Sequence, residues 1–323
     1  MIIRIQNISK RFGSTIVLDS LDLEFDSGKL TTLLGHSGCG KTTLLRCIAG
    51  LEVPDAGEIY FDEQCVFSSS RQINVPSEQR NLGFVFQDFA LWPHMTVFEN
   101  VAFGLRAHKD TRNLSKKVNQ ALQAVGLQQY GQRYPHELSG GQQQRVAFAR
   151  AIAVTPSCIL FDEPLSALDT LLREQMQQEL RTLITERNLT AIFVTHDQRE
   201  AMSISDTIVV MKDGQVEMRG TPQEVYRYPC SGFVAKFLGP VNWFDKEHLI
   251  RPEELLLRDT PIAKTSLALP VLACTYQGNC YRVQTEHQGK PWLVMTSKPF
   301  KAGEKLTVYF DERQIIALKE KNA

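Results

Sequence analysis

Apolar and polar positions alternate through LDLEF at 21–25, the period-two pattern of a half-buried strand. LTTLLG at 30–35 predicts a strand that stops on a glycine, and KTTLLRCIAGL at 41–51 then places its apolar residues at helical spacing. GEIYFD (57–62) and LGFVF (82–86) predict further strands. From about 95 to 155 the period lengthens, and VFENVAFGLRA, KKVNQALQAVGL and SGGQQQRVAFARAIA form helical segments separated by Pro and Gly breaks. CILFD (158–162) and AIFVTH (191–196) predict short buried strands, with the amphipathic helix TLLREQMQQELRTLITE between them. Strands alternating with helices predict an α/β unit with a largely parallel sheet and a helical insertion after about residue 87.

The texture changes past Gly239. LPVLACTY, CYRVQTEH, PWLVMTS, KLTVYFD and QIIALK are short β-type runs split by Gly, Pro and Asn, which predicts a small barrel or sandwich. The chain therefore divides into an expected α/β domain at 1–239 and an all-β domain at 240–323. A length of 323 residues suits two cores better than one. No internal repeat or low-complexity segment interrupts either part.

Composition narrows the function. Hydrophobic residues at 43% and charged residues at 22% describe a globular protein, and 36 basic against 36 acidic residues give no support to nucleic-acid binding. Seven scattered cysteines without a CxxC pattern predict reduced thiols in a cytoplasmic setting. MIIRIQNISK lacks the apolar core of a secretion signal, and no apolar run approaches the roughly 18–20 residues that span a bilayer. Any membrane role is thus expected to come through a partner.

The loop Gly35-His36-Ser37-Gly38-Cys39-Gly40-Lys41-Thr42, followed by Thr43, fits G-x-x-x-x-G-K-[ST] between a predicted strand and a predicted helix. Its glycines let backbone N–H groups turn inward, the helix adds its positive end, and Lys41 can reach β- and γ-phosphates. The Thr42 hydroxyl is the expected Mg²⁺ ligand. A chance glycine turn would lack the flanking strand and helix. Near that helix start the Cys39 thiol is expected to be reactive, so that alkylating it blocks nucleotide binding. Ile159-Leu160-Phe161-Asp162-Glu163 is an apolar strand that delivers two carboxylates to its C-terminal edge, where ligands sit in open α/β sheets. Asp162 is expected to hold Mg²⁺, directly or through water, and Glu163 to position or activate the attacking water. Together these two motifs predict a nucleoside triphosphatase.

Further motifs follow in order: Gln87 after LGFVF, LSGGQQQR at 138–145 heading a helix, SALD at 166–169 and His196 at a strand end. With Phe12 after the first strand, the set resembles the ATP-binding subunits of ABC transporters over about 1–238. The resemblance implies a P-loop NTPase domain with a helical subdomain at about 88–155, a small C-terminal all-β domain (OB-like, TOBE), and ATP with Mg²⁺. Phe12 would stack on adenine with Val17 nearby, unless it is a buried strand aromatic. Gln87 would contact Mg²⁺ and water and relay the nucleotide state to the helical subdomain. His196 would bind the γ-phosphate in the transition state, although a lone histidine is more often structural. Two copies would pack head to tail, so that Ser139, Gly140, Gly141 and Gln142 of one, with Asp169 beside them, cap the phosphate held by the other. The segment offers a helix N-terminus and a hydroxyl but no lysine, so it can complete a cradle and hardly build one. Arg133 is either a contact across that dimer or an exposed arginine.

FALWPHM at 89–95 crowds aromatics just after Gln87, either as packing or as a docking groove for a membrane permease. QQQR after the signature, FDEPLSALD, VTHDQREAM and IRPEE resemble importer ATPases with a C-terminal regulatory β domain. TLLRCIAGLEVPDAGEI, the serine-rich insert before NVPSEQR, and RYPHELSGGQQQR resemble most those of ferric-iron importers, with polyamine, phosphonate, sulfate and sugar importers as alternatives. The partners implied are a second copy, permease subunits and, indirectly, a periplasmic or extracellular substrate-binding protein, at the cytoplasmic face of the inner membrane. His36 stands where the family usually has proline, Trp92 where phenylalanine is commoner, and the C-terminal domain is short. A soluble ABC-type ATPase acting on nucleic acid or ribosomes would show a tandem ATPase domain, a coiled-coil insertion or basic tracts, which this sequence lacks.

Overall fold

The computed structural model describes residues 1–318 except Ala167, Ile262 and Lys264. They fall into two units that divide between Pro222 and Gln223. In the first, β1 (Ile3–Phe12) and β2 (Thr15–Phe25) are followed by β3 (Leu30–Leu34), α1 (Lys41–Ala49), β4 (Ala56–Phe61), β5 (Gln64–Ser68), β6 (Ile73–Asn74) and β7 (Leu82–Val85). The helices α2 (Val97–Ala107), α3 (Leu114–Ala124) and α4 (Gly140–Ala153) come next. The chain then alternates through β8 (Cys158–Asp162), α5 (Thr170–Glu186), β9 (Thr190–Thr195), α6 (Gln198–Ile204), β10 (Thr207–Lys212) and β11 (Gln215–Gly220).

Two sheets result. One is antiparallel in the order β2-β1-β4-β5-β6, and the other runs β11-β10-β3-β9-β8-β7, parallel except at β11. β3 has a parallel neighbour on each side and buries all 5 of its positions, which is why LTTLL does not alternate. Its threonine Thr32 accepts a hydrogen bond from Ser205 Oγ at 2.6 Å. Helix α1 contributes Leu44, Leu45 and Ile48 to a core shared with Ile3, Ile5 and Ile8 of β1 and Leu33 of β3. A second core joins Val101, Leu105, Val118, Leu122, Val146 and Ile152 of the helical segment to Phe161 and Phe193 of the parallel sheet. Buried Arg80 donates to the Cys47 and Ile48 carbonyls, both at 2.8 Å, and so anchors the C-terminal end of α1 with a cation. Burial lowers its pKa to about 10.

The second unit contains α7 from its second residue (Pro222–Arg227), α8 (Gly232–Phe237), β12 (Asn242–Trp243), β13 (His248–Ile250), β14 (Thr265–Tyr276), β15 (Tyr281–His287), β16 (Lys290–Thr296), β17 (Lys305–Phe310) and β18 (Ile316–Ala317). Its sheets, β16-β15-β14-β17 and β12-β13-β18, are antiparallel, so its sheets are all-β as expected. Lys319, the end of the predicted QIIALK strand, lies outside the described residues. The division falls earlier than the 239/240 boundary read from the sequence. The physical reason is buried Arg251, which donates to the carbonyls of Tyr226 (3.1 Å), Ala235 (3.0 Å), Gly239 (3.2 Å) and Pro240 (3.1 Å) and so joins both short helices to the β domain. Among the described residues no helix is long and apolar enough to cross a membrane.

Candidate active site

β3 ends at Leu34 and α1 opens at Lys41, so the glycine-rich loop occupies the strand-to-helix turn predicted for it. Gly40 caps α1 at φ 101°, and a Cβ there would stand 2.6 Å from the Val17 carbonyl oxygen. A Cβ on Gly35 would meet the Met211 carbonyl oxygen at 2.5 Å. The loop is pressed against β2 and the end of β10, where only glycine fits. Lys41, 4% exposed, donates through Nζ to the carbonyls of Gly35 (2.8 Å) and His36 (2.9 Å), 3.7 Å from Cys39 Sγ. His36, Ser37 and Gly38 form the exposed rim, Thr43 is half-buried and Cys39 is buried. That burial means alkylation of Cys39 requires the loop to open.

The two carboxylates emerge from β8 as expected. Asp162 is buried and accepts a 2.8 Å hydrogen bond from Thr42 Oγ1, with Arg46 of α1 at 3.5 Å. Glu163 has a left-handed backbone, φ 45°, which is costly for a glutamate and turns the chain sharply at the sheet edge. That turn is fixed on both sides: Glu163 N–H donates to Val194 (3.1 Å), and Ser166 Oγ donates to the Glu163 carbonyl (2.9 Å). Its carboxylate meets His196 Nδ1 at 3.0 Å, so the histidine at the end of β9 joins the acids rather than the core. A cavity of about 610 Å³ is lined by Arg46, Phe86, Gln87, Asp88, Asp162 and Ser166, which puts Gln87 and Asp162 on one space. Arg46 went unnoticed in the sequence, although it lies one helical turn after Thr42.

A hydroxyl and a carboxylate 2.8 Å apart, with an amide on the same cavity as the carboxylate, are oxygen donors that suit magnesium. No group of three or more His, Cys, Asp or Glu able to hold a metal occurs among the described residues, so such an ion would also need nucleotide phosphate oxygens and water.

The second glycine-rich segment is built differently. Ser139 caps α4 in a capping box with Gln142, and Gly140 and Gly141 lie inside the helix, outside the left-handed region. A Cβ on Gly140 would touch Leu168 at 3.8 Å, and one on Gly141 would crowd Leu172 at 2.9 Å. Asp169 caps α5 by accepting from Leu172 N–H at 3.0 Å. Fully buried Gln144, also overlooked in the sequence, donates to the Pro164 carbonyl at 3.1 Å and so ties α4 to the loop after Glu163. Arg133 lies over the Tyr130 ring at 4.7 Å.

Phe12 is 49% exposed at the end of β1, with Lys10 Nζ 5.1 Å from its ring, so it is not a buried strand aromatic. Half-buried Val17 lies in the facing strand, its carbonyl packed on Gly40. In FALWPHM, Phe89 is buried, whereas Trp92 is half-buried and packs on exposed Phe103 with ring centroids 4.1 Å apart.

Residues 18–166 match the sequence profile of the ABC transporter family. The chain is 50% identical over 258 residues, 80% of its own length and 67% of the relative's, to the spermidine/putrescine import ATP-binding protein PotA of Salmonella typhimurium. The PotA of Aliivibrio fischeri is 52% identical over 244 residues, which is 75% of this chain and 64% of that one. Among solved structures, the dimeric ATP-binding cassette MJ0796 bound to ADP and Pi superposes with a TM-score of 0.59 at 33% identity, covering 68% of this chain and 98% of that one. The cbiO1 subunit of the Clostridium perfringens cbiONQ transporter gives a TM-score of 0.62 at 29% identity, covering 69% and 89%. The expected likeness to ferric-iron importer ATPases finds no support in relatives named for polyamine import. With half its residues shared over four-fifths of its length, and the phosphate loop and Asp162 inside the matched span, the chain belongs to the ABC transporter family as an ATP-binding subunit of importer type.

Proposed function

We propose that this chain is the ATP-hydrolysing subunit of a polyamine importer, working as a head-to-tail dimer bound to permease subunits at the cytoplasmic face of the inner membrane. A substrate-binding protein on the other side would supply the cargo. The observation that carries the reading is the paired geometry at the edge of β8, with Thr42 on Asp162 at 2.8 Å and His196 on Glu163 at 3.0 Å. Polyamine is favoured over ferric iron by the 50% identity to PotA.

The loop amides of Gly38–Thr43 and the Lys41 ammonium would bind the β- and γ-phosphates at the positive end of α1. Phe12 would stack on the adenine, with Val17 behind the loop. Thr42, Asp162 and Gln87 would hold magnesium, which when bound neutralises phosphate charge. Glu163 accepts a proton from, or orients, the attacking water. The Glu163 contact orients the His196 ring: in the imidazolium form Nδ1–H donates to the carboxylate and Nε2–H would donate to the γ-phosphate. Ser139–Gln142 of a partner subunit would close the site over that phosphate.

Glu163→Gln tests the chemistry. It should bind ATP within about threefold of the parent, hydrolyse it at least ~100-fold more slowly and accumulate an ATP-bound dimer on size exclusion. A variant that stays monomeric at saturating ATP and hydrolyses normally removes Glu163 from its role. For the cargo, ATPase activity in the reconstituted complex should rise with spermidine or putrescine on the binding protein and not with ferric iron.

A further inference from the structure

Between Gln87 and α2 the chain makes a turn in which two consecutive residues, Phe89 (φ 61°) and Ala90 (φ 44°), are left-handed. Neither is glycine or asparagine, so the turn is sterically unfavourable for both and must be held from outside. Arg150, near the C-terminal end of α4, supplies the hold. Its Nη2 donates to the Phe89 carbonyl at 2.7 Å and its Nη1 to the Ala90 carbonyl at 2.5 Å. The same guanidinium lies 5.1 Å from the centre of the Trp92 ring, which packs on Phe103. One planar group therefore grips both strained peptides and the first aromatic beyond them, a combination that suits arginine and not lysine. Burial lowers the pKa of Arg150 and the charge of Asp88 opposes that, yet an arginine stays ionised.

Helix α4 is capped by Ser139, so its two ends belong to different parts of the proposed cycle. The N-terminal end would close over a partner subunit's nucleotide, and the C-terminal end grips the turn next to Gln87. We propose that Arg150 is a positioning residue that keeps the Phe89–Ala90 turn left-handed and thereby sets Trp92 and Phe103 for contact with the permease. A shift of α4 on ATP binding would then move that aromatic surface directly. The second half of this proposal rests on the reading of the Trp92 segment as the docking face.

Arg150→Lys in the full chain keeps the charge but cannot serve two carbonyls and a ring together. Amide hydrogen exchange across 88–95 should speed up about tenfold or more, while β3, β8 and β9 keep their protection and basal ATP hydrolysis stays within about twofold. Adding Ala90→Gly should recover part of the protection, because glycine removes the strain at one of the two left-handed positions. In proteoliposomes containing the permease that co-purifies with the chain, Arg150→Lys should lose most of the permease stimulation of ATPase activity, and the double variant should regain part of it. Unchanged exchange at 88–95, faster exchange everywhere, or no rescue by Ala90→Gly would overturn the clamp. If the exchange results hold but the permease does not stimulate the parent chain, the clamp stands and the docking reading falls.

Discussion

Two glycine-rich segments, 35–43 and 138–145, share a helix start and little else. In the first, glycine is needed for backbone shape: Gly38 and Gly40 are left-handed, and Gly40 sits where a side chain would strike Val17. The loop is a fixed concavity with Lys41 turned into it. In the second, Gly140 and Gly141 are ordinary helical residues, and the segment is a bare helix end capped by its own Ser139. Its glycines allow a close approach of α4 to Leu168 and Leu172. The same residue type therefore makes a cradle in one place and a contact surface in the other. A second glycine-rich helix start in one chain then need not be a second binding site.

The largest effects are expected at the first loop. Lys41→Ala should weaken ATP binding by ~100-fold or more, since it removes the charge aimed at the phosphates. Gly40→Ala should do the same by a different route. Its Cβ would lie 2.6 Å from a backbone oxygen at φ 101°, a combined strain of about 2–4 kcal/mol that either distorts the loop or lowers the melting temperature. Equilibrium ATP binding and thermal melts on both variants separate lost charge from lost shape. Normal ATP affinity in Gly40→Ala would show that the loop tolerates a side chain and that its glycine is incidental.

Ser139→Arg addresses the second segment. It removes a cap and places bulk and positive charge where a partner's nucleotide would be closed over. The isolated subunit should bind ATP within about twofold of the parent, while turnover in the dimer falls by ~100-fold. Loss of binding by the monomer would mean that Ser139 reaches the phosphate of its own chain, and the distinction between the two segments would collapse.

Local signals were readable where chemistry and periodicity coincide. The 41–51 helix, the CILFD strand with its two acids, and the SGGQQQR helix start all form within a residue or two of their expected bounds, because caps and apolar runs are local. The contacts that bind them together are not local. Arg46 on Asp162, Gln144 on Pro164 and Arg150 on the Phe89–Ala90 turn join residues 116, 20 and about 60 positions apart, and in each the partner is a residue that no local spacing points to. Backbone strain was equally invisible, since nothing in FDEP or QDFA announces left-handed Glu163, Phe89 or Ala90. The boundary moved for the same reason: α7 and α8 look like the tail of the α/β domain until Arg251 ties them to the β domain.

The smallest effect is expected at the contact between α4 and α5. Gly141→Ala adds a Cβ that would meet the Leu172 side chain at 2.9, 3.1 and 3.3 Å. Alanine favours the helix by up to about 1 kcal/mol, and crowding opposes it by about 1–3 kcal/mol unless Leu172 rotates away. Stability should therefore change little, and a thermal melt should move by only a few degrees. Leu172 also carries the N–H that Asp169 caps, so pushing it aside loosens the start of α5. Turnover of the dimer should fall about three- to tenfold while ATP affinity is unchanged. A fall in affinity instead would mean that the α4–α5 contact shapes the first loop within one chain, and Gly141 would then belong with Gly40.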